Sequence, residues 1–293
     1  MTGPAGSRTH PGRASEGERD PGRGRSARLS DADPNAPIIV LTYAHAGAEL
    51  LTQLLSASPS VACTSATGLL PVCHDAISAW ERAAGMTGPP TSLAIKSVRA
   101  LASTMITVIQ ARGGARRWCE TAFSTPEVAQ TFLQVFPAAR FICLYRSLRE
   151  VLAETVRAYP WGLDGTPFWA HAARHPGNNA AAIAAYWTAR TQALLEFESS
   201  HPGSCLRVRY EDLAADRGRQ AGTIFAALGL DDSQLAVLRE PAAIRRQEGR
   251  DAVTGPIELA WPAGLIPPAL LARAEELHAQ LGYEFPGTVP PED

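Results

Sequence analysis

The apolar positions of this chain alternate between short continuous runs and longer segments with helical spacing. The runs at residues 37–43 and 140–145 predict strands that are buried on both faces, as in a parallel sheet covered by helices. Shorter strand candidates lie at residues 92–96, 117–120 and 205–210. Because strands and helices alternate, we predict an α/β fold with a parallel sheet, right-handed crossovers and flanking helices.

Helices are predicted wherever apolar residues recur at a period near 3.6. Pro126 is expected in the first turn of one helix, where its missing N–H group is tolerated. The predicted helices span residues 48–55, 71–80, 98–109, 126–136, 147–154, 178–199, 217–228, 233–239 and 268–281.

The connection at residues 159–177 combines aromatic residues, glycines, prolines and two histidines, His171 and His175. Connections of this length are uncommon in compact domains unless they have a function, often as a lid over a site. The alternative is a surface loop anchored by Trp161 and Phe168 under the following helix. Two histidines four residues apart are weak grounds for a metal site, and none is predicted.

Composition separates the first 35 residues from the rest of the chain. Residues 1–35 are rich in Gly, Pro, Ser and Arg and have almost no large apolar side chains. They cannot bury enough surface to offset their ordering entropy, so we predict a disordered arm. Residues 36–293 are predicted to form a single domain, since a chain of 31.2 kDa suffices for one sizeable core.

The net charge of −2 gives no support for a nucleic-acid partner or a polybasic membrane surface. No continuous apolar run approaches the ~20 residues that span a bilayer, and no apolar stretch follows the N-terminal arginines as in a secretory signal. The five cysteines are scattered, mostly in apolar segments, and lack the CxxC spacing of a zinc site. Buried reduced thiols and a cytoplasmic location are therefore predicted.

Arg146 directly follows the apolar run at 140–145 and precedes a helical segment. Ligands bind at the carboxyl ends of parallel strands, and both a guanidinium and a helix N-terminus favour a phosphate. The alternative is an arginine paired with a neighbouring carboxylate. The first predicted strand is likewise followed by a glycine-bearing loop, residues 44–47, and by a helix, which is the general plan of a phosphate cradle.

The strand, loop and helix at 37–55, Arg146 at a strand end and the Tyr-Glu-Asp-Leu segment at 210–213 together resemble sulfotransferases that use 3′-phosphoadenosine 5′-phosphosulfate (PAPS). Three further segments are similar to the bacterial branch of that family: residues 118–121, 135–140 and 281–283. The resemblance implies a P-loop-like α/β sheet. It also implies transfer of a sulfuryl group from PAPS to the hydroxyl or amine of a small molecule, in bacterial secondary metabolism.

The resemblance further implies roles for single residues. The nucleotide-binding positions of the family fall on Gly47, Ala48, Arg146, Glu154, Tyr210 and Arg246. The backbone around Gly47 would hold the 5′ end of the nucleotide, and Arg146 the 3′-phosphate. Three catalytic candidates follow: His45 in place of the family's usual lysine beside the bridging oxygen, Glu120 as a general base, and Glu49. Arg246 belongs to a charged segment for which a solvated loop is the alternative.

Two acidic residues stand at family phosphate positions. In the family loop Thr-Tyr-Pro-Lys-Ser-Gly-Thr-Thr, the last position falls on Glu49, and a later serine falls on Glu154. A carboxylate about 5 Å from a phosphate oxygen, at an effective dielectric near 20, is repelled by roughly 3 kcal/mol per unit charge. Both side chains are expected to turn away or to take up protons. Alternatively, Glu49 complements its helix dipole and Glu154 pairs with Arg157.

Two other hypotheses stay open. In one, the fold is kept and PAPS use is lost. The residues His45, Glu49, Glu120 and Glu154 would then converge on the former nucleotide pocket and serve a cationic substrate, a hard metal ion or proton transfer. In the other, the protein is non-catalytic and binds a biosynthetic partner through residues 159–177. The oligomeric state cannot be read from the sequence.

Overall fold

The computed structural model describes residues 36–85, 89–231 and 263–284. The predicted arm at residues 1–35, the predicted helix at residues 233–239 and Arg246 lie outside the described residues.

The described chain contains one parallel sheet. Its strands are β1 (Ile38–Leu41), β2 (Val61–Ser65), β3 (Arg117–Ala122), β4 (Arg140–Tyr145) and β5 (Cys205–Arg209). The spatial order is β2-β3-β1-β4-β5, and every neighbouring pair is parallel. The chain leaves the central β1 first toward one edge and later toward the other. This reversal opens a crevice at the carboxyl ends of β1 and β4, where doubly wound sheets bind ligands.

Helices connect the strands and cover the sheet. They are α1 (Ala48–Ser56), α2 (Leu69–Ala83), α3 (Ser92–Gly113), α4 (Pro126–Val135), α5 (Leu148–Ala158), α6 (Trp169–Ala172), α7 (Asn179–Ser200), α8 (Tyr210–Ala215), α9 (Arg217–Leu228) and α10 (Pro268–Leu281). The predicted parallel sheet flanked by helices is confirmed. The Tyr-Glu-Asp-Leu segment forms the start of α8.

The sheet is buried on both faces, and this explains the continuous apolar runs. In β1, Ile38 and Val40 face the core formed with α1 and α9, whereas Ile39 and Leu41 face the core formed with α2, α3, α4, α7 and α10. All four side chains are at most 1% exposed. A strand with a core on each side needs apolar residues at successive positions, not only at alternate ones.

The prediction of a strand at residues 92–96 is wrong, because these residues form the first turns of α3. Thr91 caps this helix by accepting a hydrogen bond from the amide of Ala94 at 3.2 Å. The buried side of α3 has residues at every fourth position: Ala94, Val98, Ala102 and Ile106. The cap and this spacing outweigh the short apolar run that suggested a strand.

Within the described residues, α3 is also the helix whose length and apolar composition would suffice to cross a membrane, over Ser92–Ala111. This span contains Lys96 and Arg99. One side of α3 packs on α2, α4 and the sheet, while Leu101 and Val108 are exposed on the other side. Core helices of soluble proteins meet the same criterion.

Candidate active site

A cleft of about 470 Å³ opens at the carboxyl ends of β1 and β4. It is bounded by the loop after β1, the first turns of α1, the end of β4, the middle of α5 and the start of α8 and α9. Its lining residues are Tyr43, His45, Ala46, Gly47, Ala48, Glu49, Leu50, Gln53, Phe123, Arg146, Glu154, Tyr210 and Arg217. Seven residues proposed from the sequence therefore meet at one site: His45, Gly47, Ala48, Glu49, Arg146, Glu154 and Tyr210.

The N-terminus of α1 points backbone N–H groups at this cleft. Gly47 is the N-cap residue, and no side chain of the described chain caps the helix. The amides of Ala48, Glu49 and Leu50 begin the helix and have no backbone acceptor among the described residues. Unpaired amides and the positive end of the helix dipole together form a site for an anion.

Gly47 is required at its position for two reasons. Its φ of +85° lies in the left-handed region, which L side chains rarely adopt. A Cβ atom on this residue would also lie 2.1 Å from Cδ2 of Tyr210, which is an overlap. The glycine thus lets the loop after β1 contact the Tyr210 ring directly, and this contact forms one wall of the cleft.

The backbone of Arg146 is fixed by two buried side chains. The hydroxyl of Tyr43 donates to the carbonyl of Arg146 at 2.9 Å and accepts from its amide at 3.0 Å. The indole Nε1 of Trp187 donates to the same carbonyl at 2.8 Å. These bonds connect β1, the end of β4 and α7, and they hold the arginine at the crevice.

The guanidinium of Arg146 is directed into the cleft wall. Its Nη1 donates to the carbonyl of His45 at 2.8 Å, and its Cζ lies 4.2 Å from the centroid of the Tyr210 ring. Its Nε is buried and has no hydrogen-bond partner within the described chain. A buried atom is closed to the cleft. Nη2 has no hydrogen bond within the described residues and is not among the buried unpaired atoms, so it is the donor of Arg146 that a ligand can reach.

Two carboxylates of α5 lie beside Arg146. Its Nη2 is 3.6 Å from Oε2 of Glu150 and 3.9 Å from Oε2 of Glu154. Glu154 is also bonded to Arg157. The sequence left two alternatives to phosphate binding: Arg146 near a carboxylate, and Glu154 paired with Arg157. The structure shows both arrangements. Glu49 is exposed in the first turn of α1, where it complements the helix dipole.

His45 occupies an aromatic environment at the other side of the loop. Its φ of +61° is unusual for a residue with a Cβ atom. The ring stacks on Phe168 with a centroid distance of 5.8 Å and meets the edge of Tyr159 at 5.5 Å. Burial lowers the pKa of His45, and the carboxylate of Glu154 opposes this effect in part. His45 is therefore neutral at pH 7.

The two ring nitrogens of His45 differ. Nε2 is buried and has no hydrogen-bond partner within the described residues, whereas Nδ1 is not among the buried unpaired atoms. Nδ1 is thus the nitrogen that is open to the cleft, and a neutral imidazole can accept a proton there.

The connection at residues 159–177 contributes to the site through Phe168, which is fully buried against His45 and Tyr186. Trp161 is 97% exposed, so its expected role as an anchor is wrong. The histidines His171 and His175 take part in no group of three or more potential metal ligands within the described residues.

Glu120 does not lie in the cleft. Its side chain is 1% exposed on β3, where it accepts hydrogen bonds from Oγ1 of Thr67 at 2.5 Å and from the amide of Gly68 at 3.2 Å. Burial raises its pKa. The expected convergence of Glu120 with His45, Glu49 and Glu154 is therefore not observed, because this carboxylate faces the N-terminus of α2 instead.

The N-terminus of α5, directly after Arg146, is held by residues that sequence analysis did not single out. Glu211 accepts from the amide of Ser147 at 2.9 Å, and Nε2 of His278 accepts from the amide of Leu148 at 3.1 Å. Burial lowers the pKa of His278 to about 4. Glu211 belongs to the Tyr-Glu-Asp-Leu segment that the sequence had already indicated. No local pattern in the sequence connects His278, in α10, with the N-terminus of α5.

Three further lining residues were also missed: Gln53, Phe123 and Arg217. Gln53 follows from the helical phase of α1, since it lies one turn after Glu49. Phe123 follows the last residue of β3, and Arg217 is the first residue of α9. Only the assembled sheet brings these two residues close to the end of β1.

The cleft fits a nucleotide phosphosulfate in part. The unpaired amides of α1, the contact of Gly47 with Tyr210 and the accessible Nη2 of Arg146 all suit an anionic ligand. At the Arg146 end, the nearby carboxylates of Glu150 and Glu154 oppose a second highly charged group.

Fold and site thus define a P-loop-like α/β protein with a cleft at the switch point of its sheet, toward which the free amides of α1 point. A model of the sulfotransferase family matches residues 37–234, about two thirds of the chain. The chain therefore belongs to the sulfotransferase family, a family of transferase enzymes.

Solved structures share this fold. The sulfotransferase domain of the olefin synthase from Synechococcus PCC 7002 is 16% identical, with a TM-score of 0.52, over 88% of this chain and 98% of that domain. The sulfotransferase STF9 from Mycobacterium avium is 13% identical, with a TM-score of 0.54, over 89% of this chain and 80% of the other. No curated protein matches at the level of sequence.

Proposed function

We propose that this protein transfers a sulfuryl group from a nucleotide phosphosulfate to the hydroxyl or amine of a small molecule. PAPS is the donor that the family resemblance implies. One observation carries the proposal: the free amides of α1 and the accessible Nη2 of Arg146 border one cleft at the sheet crevice of a sulfotransferase-family protein.

The backbone of the loop after β1 would bind the phosphosulfate end of the donor. The amides of Ala48, Glu49 and Leu50 are fixed by the helix, so they stabilise negative charge on the transferred group without reorganisation. The donor supplies the sulfuryl group. Arg146 and Tyr210 form the wall against which the rest of the nucleotide lies, and fixed positioning of this kind is the main catalytic contribution in such transfers.

His45 would act as the general base. The acceptor oxygen forms a bond to sulfur while the bond between sulfur and the bridging oxygen breaks, and the electron pair of that bond stays on the departing phosphate. The acceptor proton moves to Nδ1 of His45. A base must be unprotonated to work, and burial against Phe168 provides this by lowering the pKa of His45.

The proposal also covers the acceptor, which is a small molecule, and the cellular compartment. A cleft of about 470 Å³ is of a size that binds small molecules, and the exposed ring of Phe123 at its rim suits an apolar acceptor. All five cysteines are free thiols, which supports a reducing compartment such as the cytoplasm. A role in bacterial secondary metabolism rests on the family resemblance alone.

Calorimetry with adenosine 3′,5′-bisphosphate and with AMP tests the nucleotide site. We expect measurable binding of at least one of them to the full chain. Absence of binding of both at millimolar concentration would overturn the proposal. It would favour the second candidate, a protein of this fold that has given up the nucleotide, for which the observation is the acidic residues Glu49 and Glu154 in the cleft.

The variant His45→Asn tests the base. Asn tolerates a positive φ and is not titratable. We expect it to bind nucleotide normally and to lose turnover by about 10²–10⁴-fold, the usual contribution of general base catalysis. His171→Asn is the matched control, because His171 is also a partly buried histidine with a lowered pKa but does not line the cleft. Equal turnover of the two variants would exclude His45 as the base.

A further inference from the structure

The end of the cleft at Arg146 is chemically different from the end at α1. Of the two carboxylates near Arg146, Glu154 lines the cleft and has a side chain that is 29% exposed. Glu150 is 48% exposed and does not line the cleft. A ligand that reaches Arg146 therefore meets the carboxylate of Glu154 at the same time.

Neither partner of this pair is saturated by the other. The separation of 3.9 Å between Nη2 of Arg146 and Oε2 of Glu154 is longer than the roughly 2.8 Å of a charge-assisted hydrogen bond. Nη2 of Arg146 has no hydrogen bond within the described residues and is not among the buried unpaired atoms, so a ligand can reach it. Glu154 is paired with Arg157 through Oε2, and its Oε1 remains as an acceptor. Arg146 thus keeps a donor and Glu154 an acceptor beside the same space.

A hydroxyl satisfies both groups, because it accepts from the arginine and donates to the carboxylate. An ionised phosphate only accepts. It would pair with Arg146 but bring its oxygens against Oε1 of Glu154, an acceptor that the bond of Oε2 to Arg157 leaves unpaired. The opposite end of the cleft, at the first amides of α1, has only donors from the backbone and suits an anion. The matching ligand has an anion at one end and hydroxyls at the other.

We propose that the Arg146–Glu154 end binds the ribose hydroxyls of a nucleotide that carries no phosphate on its ribose. The sulfuryl donor of this protein is then a nucleoside 5′-phosphosulfate with free 2′ and 3′ hydroxyls, in place of PAPS. Nη2 of Arg146 donates to one hydroxyl oxygen, and Oε1 of Glu154 accepts from a hydroxyl. This inference rests on the proposed function and changes only the identity of the donor.

The test compares AMP and adenosine 3′,5′-bisphosphate as ligands of the full chain by calorimetry. The wild type is expected to bind AMP at least as tightly as the bisphosphate. In Glu154→Gln the charge is removed and the size is kept, so bisphosphate affinity should rise about tenfold or more, while AMP affinity falls slightly. Glu276→Gln is the control, since Glu276 also pairs with an arginine three residues away and lies on α10, outside the cleft.

Each remaining outcome counts against the inference. A wild type that prefers the bisphosphate, or a Glu154→Gln variant with an unchanged ratio of the two affinities, overturns it and leaves the nucleotide site in place. Absence of binding for both ligands overturns the nucleotide site and this inference with it. Circular dichroism establishes that the variant is folded, and Glu154→Ser replaces it where the glutamine variant fails to fold.

Discussion

The hydroxyl of Tyr43 forms hydrogen bonds to both the amide and the carbonyl of Arg146, at 3.0 and 2.9 Å. Tyr43 follows β1 and Arg146 follows β4, so one side chain ties together the ends of the two central strands. The candidate site is built around this link. Its loop, its arginine and the start of α5 all depend on the relative position of these two strand ends.

Replacing Tyr43 with phenylalanine should therefore weaken the protein more than a surface change. The amide of Arg146 would lose its acceptor while remaining buried, and an unpaired buried group costs about 1–3 kcal/mol. Urea unfolding measures this difference. Tyr159→Phe is the control, because the Tyr159 hydroxyl has no hydrogen bond within the described residues. Equal stability of the two variants would contradict the importance of the link.

Arg146→Lys should fold and should bind nucleotide poorly. Lysine cannot provide two donors in a fixed fork, so the bond of Nη1 to the carbonyl of His45 and the donor Nη2 for the ligand cannot both be kept. Loss of about 1.5–3 kcal/mol for bonds of a charged group corresponds to roughly 10–100-fold weaker binding. Calorimetry with AMP and with the bisphosphate measures it. Unchanged affinity would make Arg146 a structural residue.

Gly47→Ala should both destabilise the chain and weaken nucleotide binding. The new methyl would overlap the Tyr210 ring, at 2.1 Å from Cδ2, and would be strained at a φ of +85°. Gly177→Ala is a matched control, because its φ is +73° and nothing lies within 4 Å of its new Cβ. The control should be destabilised only by the backbone strain of the new side chain, about 1–2 kcal/mol.

The two glycine variants differ further in ligand binding. Only Gly47→Ala should lose nucleotide affinity, since it displaces a wall of the cleft, and the additional change Tyr210→Ala should restore its stability toward that of the control. Equal losses of stability in Gly47→Ala and Gly177→Ala would contradict the close packing of loop and ring.

Glu49→Thr should bind nucleotide more tightly. Glu49 is exposed at the start of α1, so its repulsion of an anion is screened by solvent, and a gain of about two- to tenfold is expected at low salt. The gain should shrink at high salt, where exposed charges are screened further. Binding that is unchanged at low salt would show that Glu49 is directed away from the anion.

His278 should make the stability of the fold depend on pH. Its pKa is lowered from 6.5 to about 4 in the folded state, so the unfolded state binds the proton more readily. The contribution of His278 to the free energy of unfolding is fully present above about pH 6.5. It is lost as the pH falls toward 4, and the loss amounts to about 3 kcal/mol. His278→Gln removes the titration and leaves a hydrogen-bond acceptor.

Thermal unfolding of the wild type and of His278→Gln between pH 7 and pH 4.5 isolates this contribution. The wild type should lose more stability than the variant across that interval. Parallel curves would show that His278 does not titrate with the fold.

Local patterns in the sequence predicted four of the five strands of the described sheet, all except β2, and the positions of the loop after β1 and of Arg146. The continuous apolar run of β4 predicted burial on both faces, and Arg146 and Gly47 follow their strands in the chain as they do in space. Parallel strands end at the same edge of a sheet, so strand ends that are far apart in sequence could be placed together. The prediction of a strand at residues 92–96 was wrong because it considered only five residues. The capping residue Thr91 and the helical spacing of buried residues up to Ile106 lie outside that segment.

Only the tertiary structure decided which side chains share the cleft. Glu120 looked equivalent to Glu49 and Glu154 in sequence, but the direction of its side chain on β3 takes it to the N-terminus of α2. Burial lowers the pKa of His45, and Phe168, more than 120 residues later in the chain, contributes to this burial by packing on its ring. The amide of Leu148 is capped by His278, 130 residues away. Burial and pKa depend on neighbours that periodicity, a local property, does not specify.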